Sequence, residues 1–150
     1  MITKYDNNLF FLCSLIEFIG RQQKLSRNEV VSSLGIKTLL HIYDYADILH
    51  CEPIEKVADE YIELCKLGKG NFDNVTACRY TIPSFWDIGK VYARLIQDVT
   101  ENMQDQETVI KTLDKVYNSW ISDSIANFNS DFFYQPHDYI RECYLEGKIL

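Results

Sequence analysis

The sequence predicts an all-α protein, a compact bundle of about six or seven helices. Two observations carry that expectation. Apolar residues recur at helical spacing along most of the 150 residues, and serine–acid pairs of capping type stand ahead of helical stretches. A third observation qualifies it. Residues 75–82, VTACRYTI, have the composition of a strand and leave room there for one short strand or hairpin.

The first helix covers residues 8–23 and is apolar on nearly every face, which marks it as central. Its run LFFLCSLIEFIG carries Glu17 and is too short to span a bilayer. Ser26 and Glu29 form an S-x-x-E capping box, and Gly35 stops the second helix after about two turns. A third helix spans 36–50. Pro53 suits the first turn of a fourth, which ends near Gly68 and buries Ile54, Val57, Ala58, Tyr61, Ile62 and Cys65. Its other side carries Glu55, Asp59, Glu60 and Glu63.

Glycines 68 and 70, with Asn71 and Asn74, then interrupt the helical pattern. The chain is expected to form a single helical domain over 1–150, with two sub-bundles, 1–68 and 84–150, joined by the loop 69–83. GKGN there lacks the Gly-Lys-Ser/Thr ending of a phosphate-binding loop. Ser84 with Asp87 caps the next helix, where Phe85, Ile88, Tyr92, Leu95, Ile96 and Val99 share one face. Asp87, Lys90, Arg94 and Asp98 fall opposite. Trp86 stands off the apolar stripe, either packed under a neighbouring helix or exposed as an interface anchor. A long helix over 105–128 turns Val109, Leu113, Val116, Trp120 and Ser124 inward, with Ile110, Tyr117, Ile121 and Phe128 widening that face. NSDFFYQP breaks it, and Pro136 opens a last short helix.

A net charge of −7 and a pI near 4.9 repel phosphate backbones, so direct nucleic-acid binding is not expected. A basic protein surface remains a suitable partner. Five cysteines, odd in number and without a C-x-x-C, fit reduced thiols in a cytoplasmic protein, with Cys13 and Cys65 as core fillers. MITKYDNN lacks the basic and apolar regions of a signal peptide.

HIYDYADILHC, residues 41–51, concentrates metal-ligand types, but a helix turns His41 and His50 to opposite sides. Asp44 and Asp47 sit where an amphipathic helix places solvated residues, and His50 stands where it can cap terminal carbonyls. No metal or cofactor is expected. Cys51 beside His50 and Cys143 with His137 diverge on a helix, so neither makes a thiol–imidazole pair without help from tertiary contacts. With no G-x-S-x-G, H-E-x-x-H or nucleotide loop, nothing points to an enzyme.

The leading apolar helix NNLFFLCSLIEFIGRQ, the segment KLSRNEVVSSL, Asp47-Ile48-Leu49-His50, and EPIEKVADEYIELCK with Val57, Asp59 and Ile62 follow one another over residues 7–68. In that order they resemble a family of short bacterial domains encoded beside ADP-ribosyltransferase-like toxins. Ala46 stands where the family usually has a tyrosine, and residues 79–150 lie outside the likeness. The resemblance implies an antitoxin role and supplies no catalytic residue.

Three functions follow as expectations. The first is a non-catalytic protein-interaction module of bacterial or mobile-element origin, an antitoxin-like inhibitor that occludes a partner's site. Its surface would comprise Asp44, Asp47, His50, Glu55, Asp59 and Glu63, with Trp86 as anchor. The second is an acidic phosphate mimic from a phage, directed at a nucleic-acid enzyme such as a defence nuclease. The third is a small-ligand binder or enzyme with a pocket near the 68–83 loop. No membrane partner is expected, and an apolar face left over on either half would make a homodimer.

Overall fold

The structure, a computed structural model, describes residues 4–150. Its central element is α1 (Lys4–Gln23), whose Leu9, Leu12, Leu15, Ile16 and Ile19 are buried. α2 (Arg27–Leu49), α3 (Ile54–Leu64) and α4 (Phe85–Val99) pack against it. α5 (Gln106–Tyr117) contacts α2 and α4, and α6 (Trp120–Ala126) follows it. A 3-10 turn at Phe132–Tyr134 leads into α7 (His137–Glu146), which closes on α4. The fold is all-α, with no strand among the described residues. None of these helices is long and apolar enough to cross a membrane. Because α1 packs on helices from both sides of the 65–84 connection, both stretches share one core.

Helix ends depart from expectation for local reasons. Gly35, at φ +82°, breaks the α2 ladder where a side chain would be strained, so the arms 27–34 and 36–49 run in different directions. Ser26 does not form a capping box. Its hydroxyl is spent on the Glu29 carboxylate at 2.8 Å and bonds no backbone N–H. Ser84 and Asp87 do make the reciprocal pair, at 3.0 Å in each direction. α3 stops at Leu64 rather than near Gly68 because Lys66 takes the left-handed position (φ +55°), and Leu67 N–H bonds the Ile62 carbonyl at 2.9 Å. α1 ends the same way, with Lys24 at φ +54° and Leu25 N–H on the Gly20 carbonyl at 3.0 Å. In each case the following leucine is buried, and that apolar contact offsets the cost of a non-glycine residue there.

The long helix expected over 105–128 is two helices. Asn118 Nδ2 donates to the Asp114 carbonyl at 2.9 Å and Ser119 Oγ to the Val116 carbonyl at 2.7 Å. Side chains thus compete with the backbone for the carbonyls of the last turn, and Ser119 turns extended as the N-cap of α6.

Residues 75–82 make no strand or hairpin, because their main chain is met by a side chain instead of a neighbouring strand. Asn129 accepts from Arg79 N–H at 2.8 Å and donates to the Ala77 carbonyl at 3.1 Å, standing in for a peptide group. Asn74 Nδ2 donates to the Ala126 carbonyl at 2.9 Å, fixing the same loop to α6. Asn129→Ala is expected to lower stability by about 1–2 kcal/mol, and Asn129→Asp, which keeps only the acceptor, by less. Urea midpoints at constant m-value would show this, whereas an unchanged Asn129→Ala midpoint would mean that the loop is held elsewhere.

Candidate functional site

α4 owes its position to two faces of different chemistry. Ile88, Tyr92, Leu95 and Ile96 enter the core, while Asp87, Lys90 and Arg94 form a polar row on the other side. That row is not simply solvated. It forms part of the lining of an open cleft of about 1580 Å³, walled by the segment Tyr80–Pro83 and by residues 128–135. Phe10 of α1 lines it as well.

Each wall is anchored from the core. Glu17, buried in α1, receives Arg27 Nε at 2.8 Å and Arg27 Nη2 at 2.9 Å, a bidentate pair. Arg21 Nε adds a third bond at 2.8 Å, and its Nη2 reaches the Pro83 carbonyl at 2.8 Å. The ionic cluster therefore holds one cleft wall directly. Arg21 also lies over the Phe128 ring, 5.3 Å from its centroid, at the root of the other wall. Phe128, Phe133 and Tyr134 continue as successive edge-on contacts with centroids 5.7 and 5.0 Å apart. Burial pushes the Glu17 carboxyl up, but the hydrogen bonds and charges of Arg27 and Arg21 outweigh it and hold the group below its ordinary range.

At the cleft's edge, His137 Nδ1 lies 2.9 Å from Asp98 Oδ2, Arg94 Nε bonds Asp98 Oδ1 at 3.2 Å, and Arg94 Nη2 lies 3.2 Å from His137 Nε2. One assignment satisfies all three contacts. A neutral imidazole donates from Nδ1 to Asp98 and accepts at Nε2 from Arg94. Both ring nitrogens are then occupied within the ring of three, which ties the start of α7 to α4. Lys90, by contrast, has no side-chain hydrogen bond or ion pair among the described residues, and Tyr80, Ile82 and Tyr134 are 66%, 43% and 68% exposed on the rim.

The acidic residues chosen from the sequence lie elsewhere. Asp44, Asp47, His50, Glu55, Asp59 and Glu63 are exposed on the second arm of α2 and on α3, and none lines the cleft. Asp44 accepts from Gln106 of α5 at 3.0 Å, whereas Asp59 accepts from Gln22 of α1 at 2.9 Å, so the two are engaged by different neighbours. His50 meets the Ala46 carbonyl through Nδ1 at 3.1 Å, at the helix end. Trp86 is both packed and partly exposed. It packs on Phe10, centroids 5.5 Å apart, and stays 41% exposed beside the cleft, apart from the acids.

Neither thiol–imidazole pair forms. Cys143 is buried beneath the chain end, where Leu150 N–H meets its sulfur at 3.4 Å, and Cys51 lies 3.8 Å from the Asp47 carbonyl. Burial, partly countered by the neighbouring Tyr117 hydroxyl, pushes the Cys13 thiol up to about 12, as befits a core filler. Cys65 is half-buried against the core. Among the described residues no three His, Cys, Asp or Glu side chains converge as metal ligands.

The sequence placed a pocket near the 68–83 loop, and residues 80–83 do line the cleft, but its opposite wall at residues 128–135 and its floor on α4 were not expected. The available signal was a pair of segments ending in proline, RYTIP and the aromatic-rich FFYQP, with a helix between them that carries a mixed-charge polar row. The fold and site together define an all-α protein with an open aromatic cleft. No protein-family profile, curated protein or solved structure matches the chain.

Proposed function

We propose that this is a non-catalytic protein-interaction module whose working surface is the aromatic cleft rather than the acidic face of α2 and α3. The observation that carries the reading is the cleft itself. At about 1580 Å³ it exceeds the ~300–1,000 Å³ of small-molecule pockets, and it is open to solvent. Its rim presents large apolar side chains to water, as interface cores do before association. The likeness of residues 7–68 to toxin-associated domains adds the mode: the bound chain occludes its partner's site, as an inhibitor would. The phosphate-mimic alternative has less support, since it needs acids presented together and free, while Asp44 and Asp59 are each held by a glutamine.

Capture from native cells with three tagged forms tests this: wild type, Tyr80→Ala/Tyr134→Ala, and the charge reversal Asp44→Lys/Asp47→Lys/Asp59→Lys. Loss of a partner with the tyrosine variant alone, together with inhibition of that partner's activity by wild type, is the expected result. Loss with the charge reversal alone would return the interface to α2 and α3. Retention by both variants would overturn the cleft reading.

A further inference from the structure

The polar row on α4 holds an arginine that is oriented before any partner arrives. Asp98 bonds Arg94 through Oδ1 and faces His137 Nδ1 through Oδ2, at 3.2 and 2.9 Å, so one carboxylate fixes both groups. Its side chain is only 13% exposed and takes no part in the cleft lining, whereas Arg94 and His137 are exposed and line the cleft. The negative charge thus stands behind the guanidinium. Arg94 spends Nε on Asp98 and one Nη2 hydrogen on His137, while Nη1 and the other Nη2 hydrogen have no acceptor among the described residues. Lys90 lies one helical turn before Arg94 on the same face, with Cβ atoms about 5–6 Å apart. It also lines the cleft and pairs with no acid among the described residues. Asp87, a turn further back, is directed to the Ser84 N–H at 3.0 Å. The other acids of the lining are Asp6, engaged by Gln97, and Asp131 on the opposite wall. An ammonium and a fixed guanidinium therefore stand side by side in the cleft with donors unanswered.

We infer that Lys90 and Arg94 form a carboxylate anchor in the cleft, which takes an aspartate or glutamate side chain from a segment of a partner protein. The free edge of the Arg94 guanidinium offers one N–H from each Nη, the fork that matches the two oxygens of a carboxylate. Lys90 adds a second charge beside it. An apolar neighbour of the partner's acid is then seated against Phe133 and the rim tyrosines Tyr80 and Tyr134. Charge also limits the rest of the partner. A net charge of −7 repels a protein that is acidic as a whole, so the fitting partner is neutral or basic overall and confines its acid to the docking segment. This inference rests on the cleft being the interaction surface, and it adds what the cleft recognises.

The probe is a displayed library of random twelve-residue peptides, panned on the full chain and counter-selected on Tyr80→Ala/Tyr134→Ala. Recovered peptides are remade with amidated C-termini, so that only side chains supply a carboxylate. They are expected to share an acidic residue beside an aromatic or aliphatic one. Replacing that acid by its amide should cost about 10-fold in affinity for wild type. Against Arg94→Ala the same replacement should cost under about 2-fold, which places the acid on the guanidinium. Arg94→Lys, which keeps the charge without the fork, should restore only part of the affinity. Arg94 and Lys90 are exposed, and thermal unfolding would verify that the variants keep the fold. Cleft-dependent peptides without an acid, or an amide penalty unchanged in both Arg94→Ala and Lys90→Ala, would overturn the anchor while leaving the cleft as the interface. Failure to recover any peptide sensitive to the tyrosine substitutions would overturn both.

Discussion

Glu17→Ala is expected to remove about 3–5 kcal/mol of stability. The reason is the charge left behind. Arg27 is 3% exposed, and besides Glu17 its hydrogen-bond partners among the described residues are neutral, the Leu25 carbonyl at 2.7 Å and Asn74 Oδ1 at 3.2 Å, with the Phe72 ring 5.7 Å away. Without the carboxylate a guanidinium remains in the core with no counter-charge. Arg21 also loses its partner, and with it the geometry that holds Pro83, so the cleft wall should loosen as well. Urea unfolding would measure the first effect, and faster amide exchange over residues 80–82 the second. A loss under about 1 kcal/mol would show that the pair is solvated like a surface one.

The same group sets a pH dependence. The folded Glu17 carboxyl lies below its unfolded value, so its contribution is complete above the unfolded pKa of about 4.5 and is lost as pH falls through the lower, folded pKa. Glu17→Gln lacks that contribution at every pH. Its deficit relative to wild type should therefore shrink as the solution is acidified below about pH 4.5, and a constant deficit would exclude the linkage.

Much of the helical framework was legible because its signals are local. The buried stripe of α4, the Gly35 break and the Ser84–Asp87 box each depend on residues within a few positions of one another. Where local signals failed, a side chain did what the pattern assigns to another residue. Lys24 and Lys66 occupy positions that favour glycine, Asn118 and Ser119 divert carbonyls, and Asn129 replaces a neighbouring strand. The candidate site was hardly legible. Glu17 reads as a lone acid in an apolar helix until Arg27, ten residues on, is folded over Gly20, where a Cβ would stand 2.4 Å from Arg27 Cδ. The cleft joins residues 10, 80, 90 and 134, which no periodicity relates.

Gly89→Ala is the second large effect, because α1 and α4 cross there with no room for a side chain. An added Cβ would stand 2.2 Å from Ser14 Oγ, 2.7 Å from Ser14 Cα and 2.8 Å from its backbone nitrogen. Alanine improves helix propensity by about 1 kcal/mol, but forcing the two helices apart in a close-packed core costs more, for a net loss of about 2–3 kcal/mol. Ser14 separates the possible causes. Its hydroxyl is buried without a hydrogen-bond partner among the described residues, so Ser14→Ala alone should be neutral or slightly stabilising. Combined with Gly89→Ala, it removes the 2.2 Å clash and leaves both backbone contacts in place. The double variant should thus recover only a minor part of the loss in thermal unfolding. Full recovery would mean that the hydroxyl, and not the approach of the two backbones, is what requires glycine at this crossing.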